Sequence, residues 1–92
     1  MSLTPENRLV TVVNPEGLHA RAATQIRTIV LRYRAQVDLI KGLEKVDATN
    51  VLQMLTLCAG PSDTLLLEAS GDDAVAVLDA LARLFANSFD HE

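Results

Sequence analysis

The chain is 92 residues long, 49% hydrophobic and 22% charged, which is the size and composition of one ordinary globular domain. Eight basic residues against twelve acidic ones leave a net charge of −4, without the basic excess that draws proteins to nucleic acid or anionic membranes. A single cysteine, Cys58, excludes an internal disulfide and a cysteine-rich metal site, and it fits a reducing, cytoplasmic compartment.

No apolar run approaches the roughly 18 residues of a membrane span, so no membrane insertion is expected. The opening Met1-Ser2-Leu3-Thr4-Pro5-Glu6 has neither the positive stretch nor the apolar stretch of a signal peptide. Residues 1–6 are read as a tail, disordered or partly added for expression, on a single domain spanning 1–92. Tyr33, Phe85 and Phe89 are the only aromatic residues, so the core must be aliphatic.

Arg8-Leu9-Val10-Thr11-Val12-Val13 is short and β-branched, and it predicts a first strand. Asn14-Pro15-Glu16-Gly17 is a strong turn signal. From Ala20 the period changes: Ala22, Ala23, Ile26, Ile29, Val30 and Tyr33 recur at three- and four-residue spacing, the mark of an amphipathic helix. Ala35, Val37 and Leu39 then alternate with polar residues and predict a half-buried strand. After Lys41-Gly42, Leu43 to Val46 reads as a short third strand.

Asp47-Ala48-Thr49-Asn50 offers helix caps ahead of the apolar run from Val51, which predicts a short helix through about Leu55 and then a loop. Cys58, in that apolar run, is expected in the core. Thr64 to Ala69 reads as a fourth strand with Leu65 and Leu67 on one face. Ser70 with Asp73 resembles a capping box, and Ala74, Val77, Leu78, Leu81 and Phe85 form the stripe of a last helix. The order is βαββαβα, in which the two long helices can cover one face of a four-stranded sheet.

Two histidines are present. His91 is penultimate, in a stretch that ordinarily frays, and is given no role. His19 follows the Gly17 turn and directly precedes the first helix, at or beside its N-cap. Helix N-termini carry unpaired N–H donors and partial positive charge, and these make them phosphate sites. A phosphoryl group attached to the ring would put its oxygens beside those N–H groups. Arg21, two residues on, adds a guanidinium able to contact phosphoryl oxygens in a fork. The residues alone leave two readings: a phosphoryl-accepting histidine, or a capping histidine beside a solvated arginine.

The segment Gly17-Leu18-His19-Ala20-Arg21-Ala22-Ala23 resembles the phosphorylation-site motif of HPr, the histidine-containing phosphocarrier of the bacterial phosphoenolpyruvate-dependent phosphotransferase system. The likeness runs through nearly the whole chain. It includes the Val12-Val13-Asn14 lead-in, the apolar Val51–Leu57 segment and the Ala59-Gly60 turn. The closing Leu84-Phe85-Ala86-Asn87-Ser88-Phe89-Asp90 resembles the nitrogen-related branch, often called NPr.

The resemblance implies an α+β fold, an open-faced βαββαβα sandwich with three helices on one face of a four-stranded antiparallel sheet. It implies a phosphocarrier, not an enzyme: a stoichiometric carrier phosphorylated on His19 Nδ1 by enzyme I, the phosphoenolpyruvate–protein phosphotransferase. The group would pass to an enzyme IIA component, in sugar transport or in nitrogen-type regulation. Arg21 would stabilise the phosphoryl group, Gly17 and Ala20 would shape the loop around it, and Val51, Leu52 and Leu55 would form part of the partner surface. No cofactor, no metal and no nucleic acid are implied, and the family's usual state is a monomer. Clustering of Arg21, Arg27, Arg32 and Arg34 in and just after the first helix suits an acidic partner surface.

Two departures stand out. Ala22 occupies a position where many members have proline, so the first turn is less rigid with no chemical group lost. Asn50 stands where Gram-positive relatives carry a serine that a regulatory kinase phosphorylates, and an amide cannot take that modification. The competing readings are a regulatory member that binds partners according to its phosphorylation state, and a catalytically silent HPr-like interaction module, for which His19 would be dispensable.

Overall fold

The computed structural model describes residues 4–90. Four strands and three helices follow in the expected order: β1 (Glu6–Thr11), α1 (Ala20–Val30), β2 (Gln36–Lys41), β3 (Glu44–Asp47), α2 (Val51–Thr56), β4 (Thr64–Ser70) and α3 (Ala74–Ala86). The strands form one antiparallel sheet in the order β1-β4-β2-β3. Strand β1 begins at Glu6, inside the segment read as a tail. His91 and Met1-Ser2-Leu3 lie outside the described residues.

Alternation along the strands sorts the side chains between two faces. Val10 of β1, Val37 and Leu39 of β2, and Leu65, Leu67 and Ala69 of β4 are buried and point toward the helices. The opposite face carries Leu9, Leu66 and Ile40 in one cross-strand row and Asn7, Glu68, Asp38 and Asp47 in the next. On that open face Lys45 Nζ donates to Glu68 at 2.8 Å and lies 3.8 Å from Asp38. Partial burial pushes the Asp38 carboxyl up even so, ahead of the opposing pull of Lys45.

Helix α1 buries Ala22, Ala23, Ile26, Ile29 and Val30, and α3 buries Ala74, Val77, Leu78, Leu81, Leu84 and Phe85. Both helices therefore turn the expected stripe inward. Tyr33 falls beyond the end of α1, because the chain tightens there into three-residue bonds, Arg32 N–H to Ile29 O and Tyr33 N–H to Val30 O. Arg8 of β1 and Asp79 of α3 form an ion pair that ties the edge strand to the last helix.

Two expectations are corrected. The Ser70–Asp73 capping box does not form, since Ser70 is the last residue of β4 and Asp73 is itself the N-cap, with no side-chain capping bond. The Asp73 carboxylate instead accepts the Arg34 backbone N–H at 2.7 Å, while Asp73 N–H donates to Arg34 O at 3.0 Å. A tertiary partner has outcompeted the local cap. Cys58 is exposed, not core. Leu57 takes the core position at the end of α2, and Cys58 follows with φ +50, turned outward as the chain reverses.

Candidate functional site

The site is built on the loop from Val12 to His19, and its anchorage begins with a two-way backbone pairing. Val12 N–H donates to Asp63 O and Ser62 N–H donates to Val12 O, each at 2.8 Å. Asn14, only 2% exposed, closes the following turn. Its Nδ2 donates to Gly17 O at 2.8 Å, and Gly17 N–H returns a bond to Asn14 O at 3.2 Å. The Asn-Pro-Glu-Gly wording announces a turn but not this buried amide, so sequence reasoning missed Asn14 as a shaping residue.

Gly17 is required twice over. Its φ of +70 lies in the left-handed region, and a Cβ there would stand 2.6 Å from Ala59 O. Leu18 N–H donates to that same carbonyl at 2.9 Å, so the loop sits directly on the Ala59-Gly60 turn. That turn is held in place by Asp63, whose carboxylate accepts the Gly60 N–H at 2.8 Å and lies 3.4 Å from Lys41 Nζ. Lys41 also donates to Leu57 O and Cys58 O, each at 3.1 Å, satisfying carbonyls left open at the end of α2. The Gly60 N–H, and after it Lys41, hold the Asp63 carboxyl below the usual range.

His19 is the N-cap of α1, in extended geometry at φ −87 and ψ 177. Its Nδ1 accepts the Ala22 backbone N–H at 3.2 Å, and its carbonyl accepts the Ala23 N–H at 2.9 Å. With Nδ1 accepting, the ring proton of the neutral imidazole sits on Nε2. The ring is partly exposed, and its buried side meets Phe89 at a centroid distance of 6.5 Å and an interplanar angle of 68°. Phe89 was not among the expected site residues. Its sequence signals are an aromatic residue in an otherwise polar tail and its place in the closing segment that resembles the nitrogen-related branch.

Ala20 and Arg21 occupy the first turn of α1, both exposed, so their N–H groups belong to the donors a helix start leaves open. Glu16 flanks them. Its carboxyl is held low by a backbone N–H and by Asn14, with smaller contributions from the charges of His19 and Arg21. The site thus brings together Gly17, His19, Ala20 and Arg21.

In α2, Leu52 is 76% exposed, whereas Val51 and Leu55 are half-buried and pack on the core. Only Leu52 offers most of its side chain to a partner. Asn50 is the N-cap of α2, its Oδ1 accepting the Gln53 N–H at 3.0 Å. Among the described residues no cluster of three or more His, Cys, Asp or Glu side chains could hold a metal ion, and no helix is long and apolar enough to cross a membrane.

A histidine presented on a helix N-terminus at the open end of a βαββαβα sandwich has counterparts among known proteins. The family model described as the PTS HPr component phosphorylation site matches residues 7–87. The chain belongs to the HPr family of phosphocarriers. Among its relatives, the phosphocarrier protein NPr of Shewanella violacea is 39% identical over 88 residues, covering 96% of this chain and 97% of that one. The phosphocarrier protein HPr of Cupriavidus necator is 35% identical over 82 residues, covering 89% and 92%. The crystal structure of HPr-C-His from Thermoanaerobacter tengcongensis superposes with a TM-score of 0.88 at 26% identity, covering 95% of this chain and 98% of that one. The HPr fold expected from the sequence, four antiparallel strands with three helices, is the fold observed.

Proposed function

We propose that this HPr-family protein accepts a phosphoryl group on His19 Nδ1 from enzyme I and hands it to an enzyme IIA component. The observation that carries this reading is the bond by which Nδ1 accepts an N–H of the first turn of α1, at 3.2 Å from Ala22 N. In the transfer, the Nδ1 lone pair attacks phosphorus on the donor phosphohistidine. The donor N–P bond breaks as the Nδ1–P bond forms, and the bonding pair returns to the donor nitrogen. No proton has to leave Nδ1, because the ring carries its proton on Nε2. The Ala22 N–H, released from Nδ1, then joins those of Ala20 and Arg21 in facing the phosphoryl oxygens. Arg21, exposed in the first turn of α1 two residues after His19, adds a mobile positive charge.

Exposed Leu52 of α2 and the exposed Arg21 and Arg27 of α1 supply apolar and basic elements of a partner surface. The chain works as a cytoplasmic monomer in this reading, and the transfer consumes one group per carrier per cycle. For the donor we favour a nitrogen-type enzyme I, because the closing segment that resembles that branch places Phe89 against His19. The test is incubation with phosphoenolpyruvate, magnesium and either a sugar-type or a nitrogen-type enzyme I, followed by intact mass measurement. An acid-labile gain of one phosphoryl group, absent in His19→Ala, supports the carrier reading. A folded protein that neither enzyme phosphorylates moves the silent interaction module ahead.

A further inference from the structure

The proposed transfer needs the imidazole in one orientation, and helix α1 holds it by a single bond at Nδ1. A ring held at one atom can still rock about that contact. What meets it from the protein side comes from the far end of the chain. Phe89 lies three residues beyond α3 and is completely buried. It packs edge to face on Phe85, with centroids 4.8 Å apart, and then on His19 at 6.5 Å and 68°, both within the range of aromatic pairs.

The backbone reaches this arrangement by an uncommon route. Ser88 and Phe89 are both left-handed, at φ +58 and +60, a region that side-chain-bearing residues seldom occupy singly and rarely in succession. The bonds Asn87 N–H to Arg83 O, Ser88 N–H to Phe85 O and Phe89 N–H to Leu84 O fold the tail back over the last turn of α3. Phe85 alone already closes the stripe of that helix. The extra, conformationally costly turn places a second ring next to the histidine.

We propose that Phe89 is a positioning residue for His19: its buried ring limits the rocking of the imidazole and keeps Nδ1 on the α1 N–H groups. The idea rests on His19 being the phosphoryl acceptor, but the ring orientation can be measured without any donor. Loss of the aromatic ring should lower the rate of transfer and leave partner recognition intact, since Phe89 presents nothing to solvent.

The experiment compares wild type, Phe89→Leu and, should that variant not fold, Phe89→Met, with Val37→Ala as a core-weakened control in β2. Imidazole ¹⁵N shifts of His19 and the amide shift of Ala22 report the ring. Enzyme I and phosphoenolpyruvate report the transfer. The expected result is a displaced Nδ1 shift and an about tenfold lower rate at saturating carrier, with KM within about twofold of wild type. Val37→Ala should change neither. Ring shifts in the Phe89 variants that match those of Val37→Ala would overturn the proposal. Absence of phosphorylation in wild type would instead count against the function proposed above, and the ring shifts would still decide the role of Phe89.

Discussion

The Nδ1 of His19 and the backbone N–H of Ala22 share a 3.2 Å hydrogen bond in which the ring nitrogen accepts. The atom expected to take the phosphoryl group is thus occupied, in the resting protein, by one of the donors expected to hold that group afterwards. Attack on phosphorus exchanges one acceptor for another at the same N–H, so no donor has to be desolvated anew.

Ala22→Pro tests this exchange, because proline lacks the donor while suiting a first helical turn. A neutral hydrogen bond is worth about 1 kcal/mol net, so the bias of the ring toward Nδ1-acceptor geometry should weaken roughly fivefold. The imidazole ¹⁵N shift of Nδ1 should move toward that of a free histidine. Once phosphorylated, the variant should lose its phosphoryl group faster, having one donor fewer. An unmoved Nδ1 shift would mean that the bond to Ala22 does not order the ring.

Gly17→Ala should be among the most damaging single changes outside the core. Left-handed backbone costs a side-chain-bearing residue roughly 1–2 kcal/mol, and the added Cβ would collide with Ala59 O at 2.6 Å. A loss of about 2–3 kcal/mol corresponds to a fall in Tm of at least about 10 °C for a domain of this size. Differential scanning calorimetry would show it. A Tm within about 3 °C of wild type would mean that the Ala59-Gly60 turn yields freely.

The element order is legible in the sequence because each local preference agrees with the tertiary fold: β-branched strands, a Gly-containing turn and helical stripes that are buried as expected apart from Tyr33, which falls beyond α1, and with Leu84 added in α3. His19 and Gly17 are legible for the same reason, since capping and turn chemistry act over a few residues. What local pattern cannot show is a partner distant in the chain. Asp73 gives up its cap for Arg34, Asn14 is buried under its own turn, and Lys41 reaches across to the end of α2. Cys58 turned outward because a neighbouring leucine took the core position, a choice between two apolar residues that hydrophobicity alone leaves open. Phe89 contacts His19 only because two left-handed residues fold the tail back, and no periodicity announces that.

Asn50 has a structural duty, the cap on α2, and serine is as good a capping residue. Asn50→Ser should therefore leave thermal stability within about 0.5 kcal/mol of wild type, whereas Asn50→Ala should cost about 1 kcal/mol. Chemical denaturation would separate the two. Equal losses in both variants would show that the amide is held by something other than the Gln53 N–H.

The Asp63 carboxylate sets the pH response of the turn beneath His19. Its carboxyl is held below the usual aspartate range, first by the Gly60 N–H and then by Lys41. A depressed folded-state value means the stabilisation is fully present above the unfolded value, near about 3.9. It is lost as pH falls from there through the lower folded value. Below that window the Gly60 N–H and Lys41 lose their charged partner, and the Ala59-Gly60 turn, whose Ala59 O accepts the Leu18 N–H, is held less firmly. Asp63→Asn, which has an acceptor but no charge, should have a lower Tm than wild type at pH 6, and the gap should narrow as the pH is taken down to 3. The Gly60 amide resonance should titrate across that window in wild type and stay still in the variant. A constant gap in Tm between pH 6 and pH 3 would show that the Asp63 charge does not hold the turn.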